Sequence, residues 1–120
     1  MSVIIIIMLQ LDSIVFASPN CSYSSESLFG HLIYIPCRHK SIPCLYLACN
    51  NNANEKGKVL LYFHGNAEDL GITFGFLKML RDCLGVSIIA MEYRGYGIYN
   101  EDKSSDGLLI DALSVYDFIN

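Results

Sequence analysis

Residues 58–71 read KVLLYFHGNAEDLG, and this stretch decides the fold. From Lys58 to His64 the run is almost continuously apolar, which suits a strand buried on both faces. Gly65 then permits a sharp turn, having no Cβ to clash. Asn66 and Ala67 follow, and Glu68 and Asp69 suit the positive end of a helix. Ile72, Phe76, Leu80 and Leu84 recur at helical spacing and predict the buried face of that helix, with Gly85 able to end it.

Outward from this unit the pattern repeats. VSIIAMEY (residues 86–93) is a second buried strand, and RGYG (94–97) is a tight turn. From about Ser104 onward, Leu109, Ala112, Leu113, Tyr116 and Ile119 predict another helical face. Ser104 or Ser105 suits the N-cap, and Asp106 suits the first turn. Upstream, GHLIYIPC (30–37) and IPCLYLAC (42–49) are strand-like, and the polar RHKS between them predicts an antiparallel hairpin. NNNANEKG (50–57) is a loop by composition.

The order hairpin, strand, helix, strand, helix predicts an α/β fold with parallel strands and right-handed crossover helices. The second helix runs to Asn120, where it ought to feed another strand. The sequence therefore reads as the N-terminal part of a larger α/β domain, apparently truncated. Residues 1–29 read as an N-terminal extension and residues 30–120 as that portion of the domain.

Composition narrows the function classes. The 120 residues are 52% hydrophobic and 17% charged, enough apolar surface to offset chain entropy. The net charge is −4 and no basic stripe exists, which argues against nucleic acid as the partner. The five cysteines, Cys21, Cys37, Cys44, Cys49 and Cys83, are odd in number and form no CxxC pair. They read as reduced thiols rather than a disulfide framework. Cys37, His39, Cys44 and Cys49 match no common zinc spacing, so no metal and no cofactor is expected.

The apolar run Val3 to Leu9 has seven residues, against roughly 20 needed to cross a bilayer. No Lys or Arg precedes it, and Asp12 interrupts the stretch, which weakens a signal-peptide reading. The favoured expectation is an N-terminal element packed on the domain. A cleaved signal and a membrane-touching segment are the alternatives. The expected location is cytoplasmic, with peripheral membrane association as the variant.

Ligands of open α/β sheets bind at the carboxyl ends of the strands. The turn after YFH lies there, and its backbone N–H groups are preorganised donors for a developing negative charge. The plainer reading is an ordinary strand-to-helix turn. A dinucleotide-binding unit is the third, but RGYGIYN supplies only Gly95 and Gly97, with Asn100 where the last glycine should fall.

LLYFHGNAEDLG, then LGVSIIAMEYRGYG, then the amphipathic SSDGLLIDALSVYDFI resembles the α/β-hydrolase superfamily, in particular its depalmitoylase and serine-aminopeptidase-like branch. FASPNCSYS (16–24) is similar to the stretch that precedes the hairpin there. The resemblance implies a serine hydrolase of acyl esters or thioesters, with a small molecule or an acylated protein as substrate. It implies that Asn66 and Ala67 give oxyanion N–H groups, that His64 and Gly65 support their loop, and that Arg94, Gly95, Tyr96 and Gly97 brace the next turn. No Gly-x-Ser-x-Gly occurs, and Ser87, Ser104, Ser105 and Ser114 fall in strand or helix rather than in an elbow. Nucleophile, acid and base are expected beyond Asn120, so no catalytic residue is assigned in this chain. His31 and His39 read as surface or packing residues. The alternative function is a non-catalytic binding module.

Overall fold

A computed structural model describes residues 3–7, 16–28, 30–50 and 57–120. Its elements are β1 (Val3–Ile7), β2 (Leu32–Cys37), β3 (Lys40–Leu47), β4 (Val59–Phe63), α1 (Leu70–Leu84), β5 (Ser87–Met91) and α2 (Ser105–Ile119). They build an α/β fold on one mixed sheet with strand order β1-β4-β5-β3-β2. β4 and β5 run parallel in the register Val59↔Ser87 to Phe63↔Met91. β3 joins β5 antiparallel, and β2 closes the hairpin through a turn at Arg38 and His39. Val3–Ile7 runs parallel to β4 on its other side, so part of the N-terminal apolar run is a strand of the sheet. Most of the loop expected over residues 50–57, and residues 8–15, including Asp12, lie outside the described residues.

The two continuous apolar runs have the burial that parallel strands require: every residue of β4 and β5 is buried. Alternate residues serve opposite faces. Leu61, Phe63, Ile89 and Met91 join Val115 of α2 in one core cluster. Leu60, Tyr62, Ile88 and Ala90 join Leu70 and Leu77 of α1 in the other. The helices thus cover opposite faces of the sheet. Among the described residues, no helix is long and apolar enough to cross a membrane.

Both helices are rotated relative to the sequence expectation. α1 buries Leu70, Thr73 and Leu77, while Ile72, Phe76 and Leu84 of the expected face are exposed and Leu80 is half-buried. The helix offers two apolar faces, and its first turn selects between them. The Asp69 side chain accepts from the Ile72 N–H at 2.9 Å, and Gly71 lies against Ser22 and Tyr23. These contacts set the rotation of α1. α2 buries Gly107, Asp111 and Val115, leaving Leu109 and Leu113 exposed and Ala112, Tyr116 and Ile119 half-buried. There the inward residue is a charged one, drawn in by an arginine. Ser104 is the α2 N-cap, accepting from the Gly107 N–H at 2.8 Å. Gly85 ends α1 in the left-handed conformation at φ 63°.

Candidate functional site

The β4 run ends at His64, and the ring is fully buried. Both ring nitrogens have partners: Nε2 lies 2.7 Å from Glu92 Oε1, and Nδ1 lies 2.9 Å from the Gly65 carbonyl oxygen. No part of the ring is left for a substrate, so His64 is built to hold its surroundings. Its carbonyl accepts from the Tyr93 hydroxyl, and the two rings lie 3.9 Å apart.

Glu92 is the centre of this arrangement. Besides His64, Oε1 accepts from the Tyr93 N–H at 3.0 Å. Oε2 accepts from the Tyr23 hydroxyl at 2.6 Å and from the Leu70 N–H at 3.1 Å. A carboxylate has about four lone-pair sites, and all are used. One fully buried acid therefore ties together the end of β4, the start of α1, the end of β5 and the N-terminal segment. Burying such a charge is tolerable only because every oxygen is satisfied.

The N-terminal segment fastens at further points, two of them beside the turn after β4. Ser22 donates to Asp69 through its hydroxyl, and also through its N–H at 2.8 Å. The Ala17 N–H donates to Asn66 Oδ1 at 3.0 Å. That oxygen also accepts from the Tyr96 hydroxyl at 2.7 Å and from the Ala67 N–H at 3.1 Å. Three donors from three separated parts of the chain thus converge on one oxygen, just past the carboxyl end of β4. The Glu68 N–H bonds to the Gly65 carbonyl at 3.2 Å, closing the turn, and Ala67 stands at φ 64°. A non-glycine residue held there carries about 1–2 kcal/mol of strain, which the surrounding bonds must sustain.

Of the other residues singled out in the sequence, Gly97 joins this centre. It stands at φ 53°, against the Glu92 carboxylate and the Tyr23 ring. Arg94 instead points to α2, where it donates to both oxygens of buried Asp111 at 2.9 and 2.8 Å. Tyr99 adds a third donor to Asp111 at 2.9 Å. The Asp111 hydrogen bonds, opposed in part by desolvation, raise the Arg94 guanidinium further. Gly95, at φ 81°, bonds through its N–H to the Tyr99 carbonyl at 2.9 Å.

The serines and remaining histidines serve local structure. The Ser87 hydroxyl accepts from the Cys49 N–H at 3.0 Å, and the Ser114 hydroxyl donates to the Ile110 carbonyl at 3.0 Å. His31 packs its ring 5.5 Å from that of Phe74. His39 is exposed in the hairpin turn.

Glu92, Tyr23, Ser22 and Asp111 were not singled out in the sequence. Glu92 left a readable trace, since an acid that closes an apolar strand must be buried with partners. Asp111 left none, being one acid within an exposed-looking helix.

Burial, and then the Glu92 charge, push the phenols of Tyr23 and Tyr93 well above the ordinary tyrosine range. Unfolded tyrosines ionise near pH 10, so above that pH the folded chain binds more protons than the unfolded one. The stability these phenols carry is complete below about pH 10 and falls as pH rises, by about 1.4 kcal/mol per unit for each phenol that stays protonated. Urea midpoints across this range should fall, and less steeply in Tyr93→Phe. A flat profile would contradict the burial of these hydroxyls.

The comparisons with known proteins agree with this architecture. The chain is 30% identical over 74 residues to protein bem46 of Schizosaccharomyces pombe, covering 62% of this chain and 25% of that protein. It is 34% identical over 74 residues to alpha/beta hydrolase domain-containing protein 17B of Xenopus tropicalis, with the same two shares. The human protein of the same name is 33% identical over 70 residues, covering 58% of this chain and 23% of that protein. The sheet order and these similarities together support the α/β-hydrolase superfamily, with a partial α/β-hydrolase fold in this chain. The chain spans about a quarter of the length of the curated relatives it matches. No protein-family model and no solved structure matches it.

Proposed function

We propose that the turn at His64–Ala67 is the oxyanion loop of a serine hydrolase acting on acyl esters or thioesters, with the Asn66 and Ala67 N–H groups as donors. In the whole protein, the substrate is a small acyl ester or thioester or an acylated protein, and its deacylation is the reaction. The nucleophile's hydroxyl gives its proton to the base as its oxygen bonds to the acyl carbon. The carbonyl π electrons move onto oxygen, where the loop takes up the charge. Collapse expels the alcohol or thiol, which takes that proton, and water then releases the acyl group. Removing one such donor costs about 10²–10³ in rate in hydrolases that use them. The names of two relatives, which carry a hydrolase domain, support the coarser part of this reading.

The observation that carries the proposal is the convergence on Asn66 Oδ1. The Ala67 N–H, the Ala17 N–H and the Tyr96 hydroxyl already hold an amide oxygen at this position. The Tyr96 ring is buried, so its hydroxyl is aimed by packing rather than by chance. Around this position His64 and Glu92 fix the loop from beneath, with no solvent between them.

The test is an amide chemical-shift titration of the full chain with methylphosphonate, a tetrahedral anion. In Asn66→Ala the side-chain oxygen is gone, and saturable shifts are expected at the Ala17 and Ala67 amides. They should weaken in Asn66→Ala/Tyr96→Phe. Absence of shifts at both amides would refute the loop assignment. With no Gly-x-Ser-x-Gly in the sequence, a fluorophosphonate probe should not label this chain rapidly. Rapid labelling would show a nucleophile that the proposal does not contain.

A further inference from the structure

The peptide that joins Phe16 to Ala17 is engaged at both of its polar ends. Its N–H, on Ala17, donates to Asn66 Oδ1 at 3.0 Å. Its carbonyl, on Phe16, accepts from Lys103 Nζ at 3.4 Å. Lys103 stands in the connection from β5 to α2, 87 positions further along the chain. Its stem crosses Gly95, where an added Cβ would strike Lys103 Cγ. Its ammonium lies 5.5 Å from the centre of the Tyr96 ring, and the Tyr96 hydroxyl is another donor to Asn66 Oδ1. One side chain thus touches two of the groups that converge on that oxygen. Among the described residues no carboxylate lies within ion-pair distance of this ammonium. The turn it overlooks is acidic. Glu68 Oε1 accepts from the Gly65 N–H at 2.8 Å, and buried Asp69 and Glu92 bond to groups that flank the turn. An anion arriving there meets like charge, a cost that a nearby cation offsets.

We propose that Lys103 is a positioning residue of this site: from the Phe16 carbonyl it polarises the Phe16–Ala17 peptide, so that the Ala17 N–H becomes a strengthened donor to an oxyanion. This rests on the oxyanion reading of the His64–Ala67 turn. An ammonium at the carbonyl oxygen draws electrons along the amide and makes the N–H of the same peptide more positive. Hydrogen bonds in series reinforce one another in this way by about 10–30% each. The same ammonium holds the Phe16 carbonyl in place and rests near the face of the Tyr96 ring, so both donors from outside the turn keep their aim. Lys103 acts through the peptide and the ring, without itself binding the anion.

The test is read first at the Ala17 amide of the full chain, without any anion. Lys103→Met keeps a long stem and removes the charge. It should move the Ala17 amide proton upfield, and Lys103→Arg should leave that proton near its original place, with both circular dichroism spectra unchanged. Titration with methylphosphonate in the Asn66→Ala background is the second arm. Adding Lys103→Met should weaken binding about two- to fivefold, the scale of one exposed charge acting on another. Adding Lys103→Arg instead should keep the affinity of Asn66→Ala. An Ala17 proton that ignores Lys103→Met overturns the proposal. So does equal binding by Asn66→Ala and Asn66→Ala/Lys103→Met, or a loss that arginine does not restore. In those cases binding by Asn66→Ala leaves the loop reading standing. If Asn66→Ala binds no methylphosphonate, the loop reading falls and this inference falls with it.

Discussion

Glu92→Ala is expected to lower the unfolding free energy by about 3–5 kcal/mol, since each buried donor left without its acceptor costs about 1–3 kcal/mol and the site can relax only in part. The variant strips four donors of their acceptor: His64 Nε2, the Tyr23 hydroxyl and the N–H groups of Leu70 and Tyr93. None of them can turn to water, since His64, Leu70 and Tyr93 are at most 1% exposed and Tyr23 is 8%. Domains of this size have only about 5–15 kcal/mol of stability, so the loss would leave a visible unfolded population. Glu92→Gln keeps the volume and should lose less. His64→Ala/Glu92→Ala should be less destabilised than the sum of its parts, because the second change removes a group the first left unpaired. Urea denaturation of the four variants measures this. A Glu92→Ala loss below about 1 kcal/mol would mean that the carboxylate is not the acceptor described here.

Gly97→Ala is expected to cost about 2–5 kcal/mol, from left-handed strain together with crowding. A Cβ at Gly97 would press on Glu92 Oε2 and on the Tyr23 hydroxyl and ring, the hydrogen-bonded pair at the centre of the site. Gly57 supplies the control. It has a similar φ of 60°, but among the described residues nothing lies within 4 Å of its added Cβ. Gly57→Ala should therefore show the strain alone, about 1–2 kcal/mol. Equal losses in the two variants would show that Gly97 does not touch the Tyr23–Glu92 pair.

The α/β architecture was legible because β4 and β5 are apolar on both faces, and few folds accept such strands. The hairpin was legible from its polar turn. The helix faces were not. α1 carries apolar residues nearly all round, so periodicity alone could not choose between the Ile72–Phe76 and Leu70–Leu77 stripes. The choice rests on Asp69 and Gly71 meeting Ser22 and Tyr23, residues about fifty positions away. The same holds at the candidate site. His64 to Ala67 stood out because glycine and a buried histidine are conspicuous after an apolar run. Of the acids that organise them, Glu92 could have been read from its place at the end of an apolar run, whereas Asp69 looks like a surface acid until Ser22 is placed beside it. β1 was foreseen only as something packed on the domain. Its pairing with β4 depends on backbone bonds that no residue pattern encodes.

The N-terminal segment has a consequence for the order of folding. Three of its attachments, Ala17 to Asn66, Ser22 to Asp69 and Tyr23 to Glu92, span 49, 47 and 69 positions of sequence. Closing loops of that length is slow compared with forming a hairpin or a helix, and it must precede any gain from the contacts. Residues made before the sheet and helices they fasten to are thus among the last to reach their final places. Until they do, Glu92 and Asp69 wait without the hydroxyls that complete them, and the loop after β4 lacks its bond to Ala17.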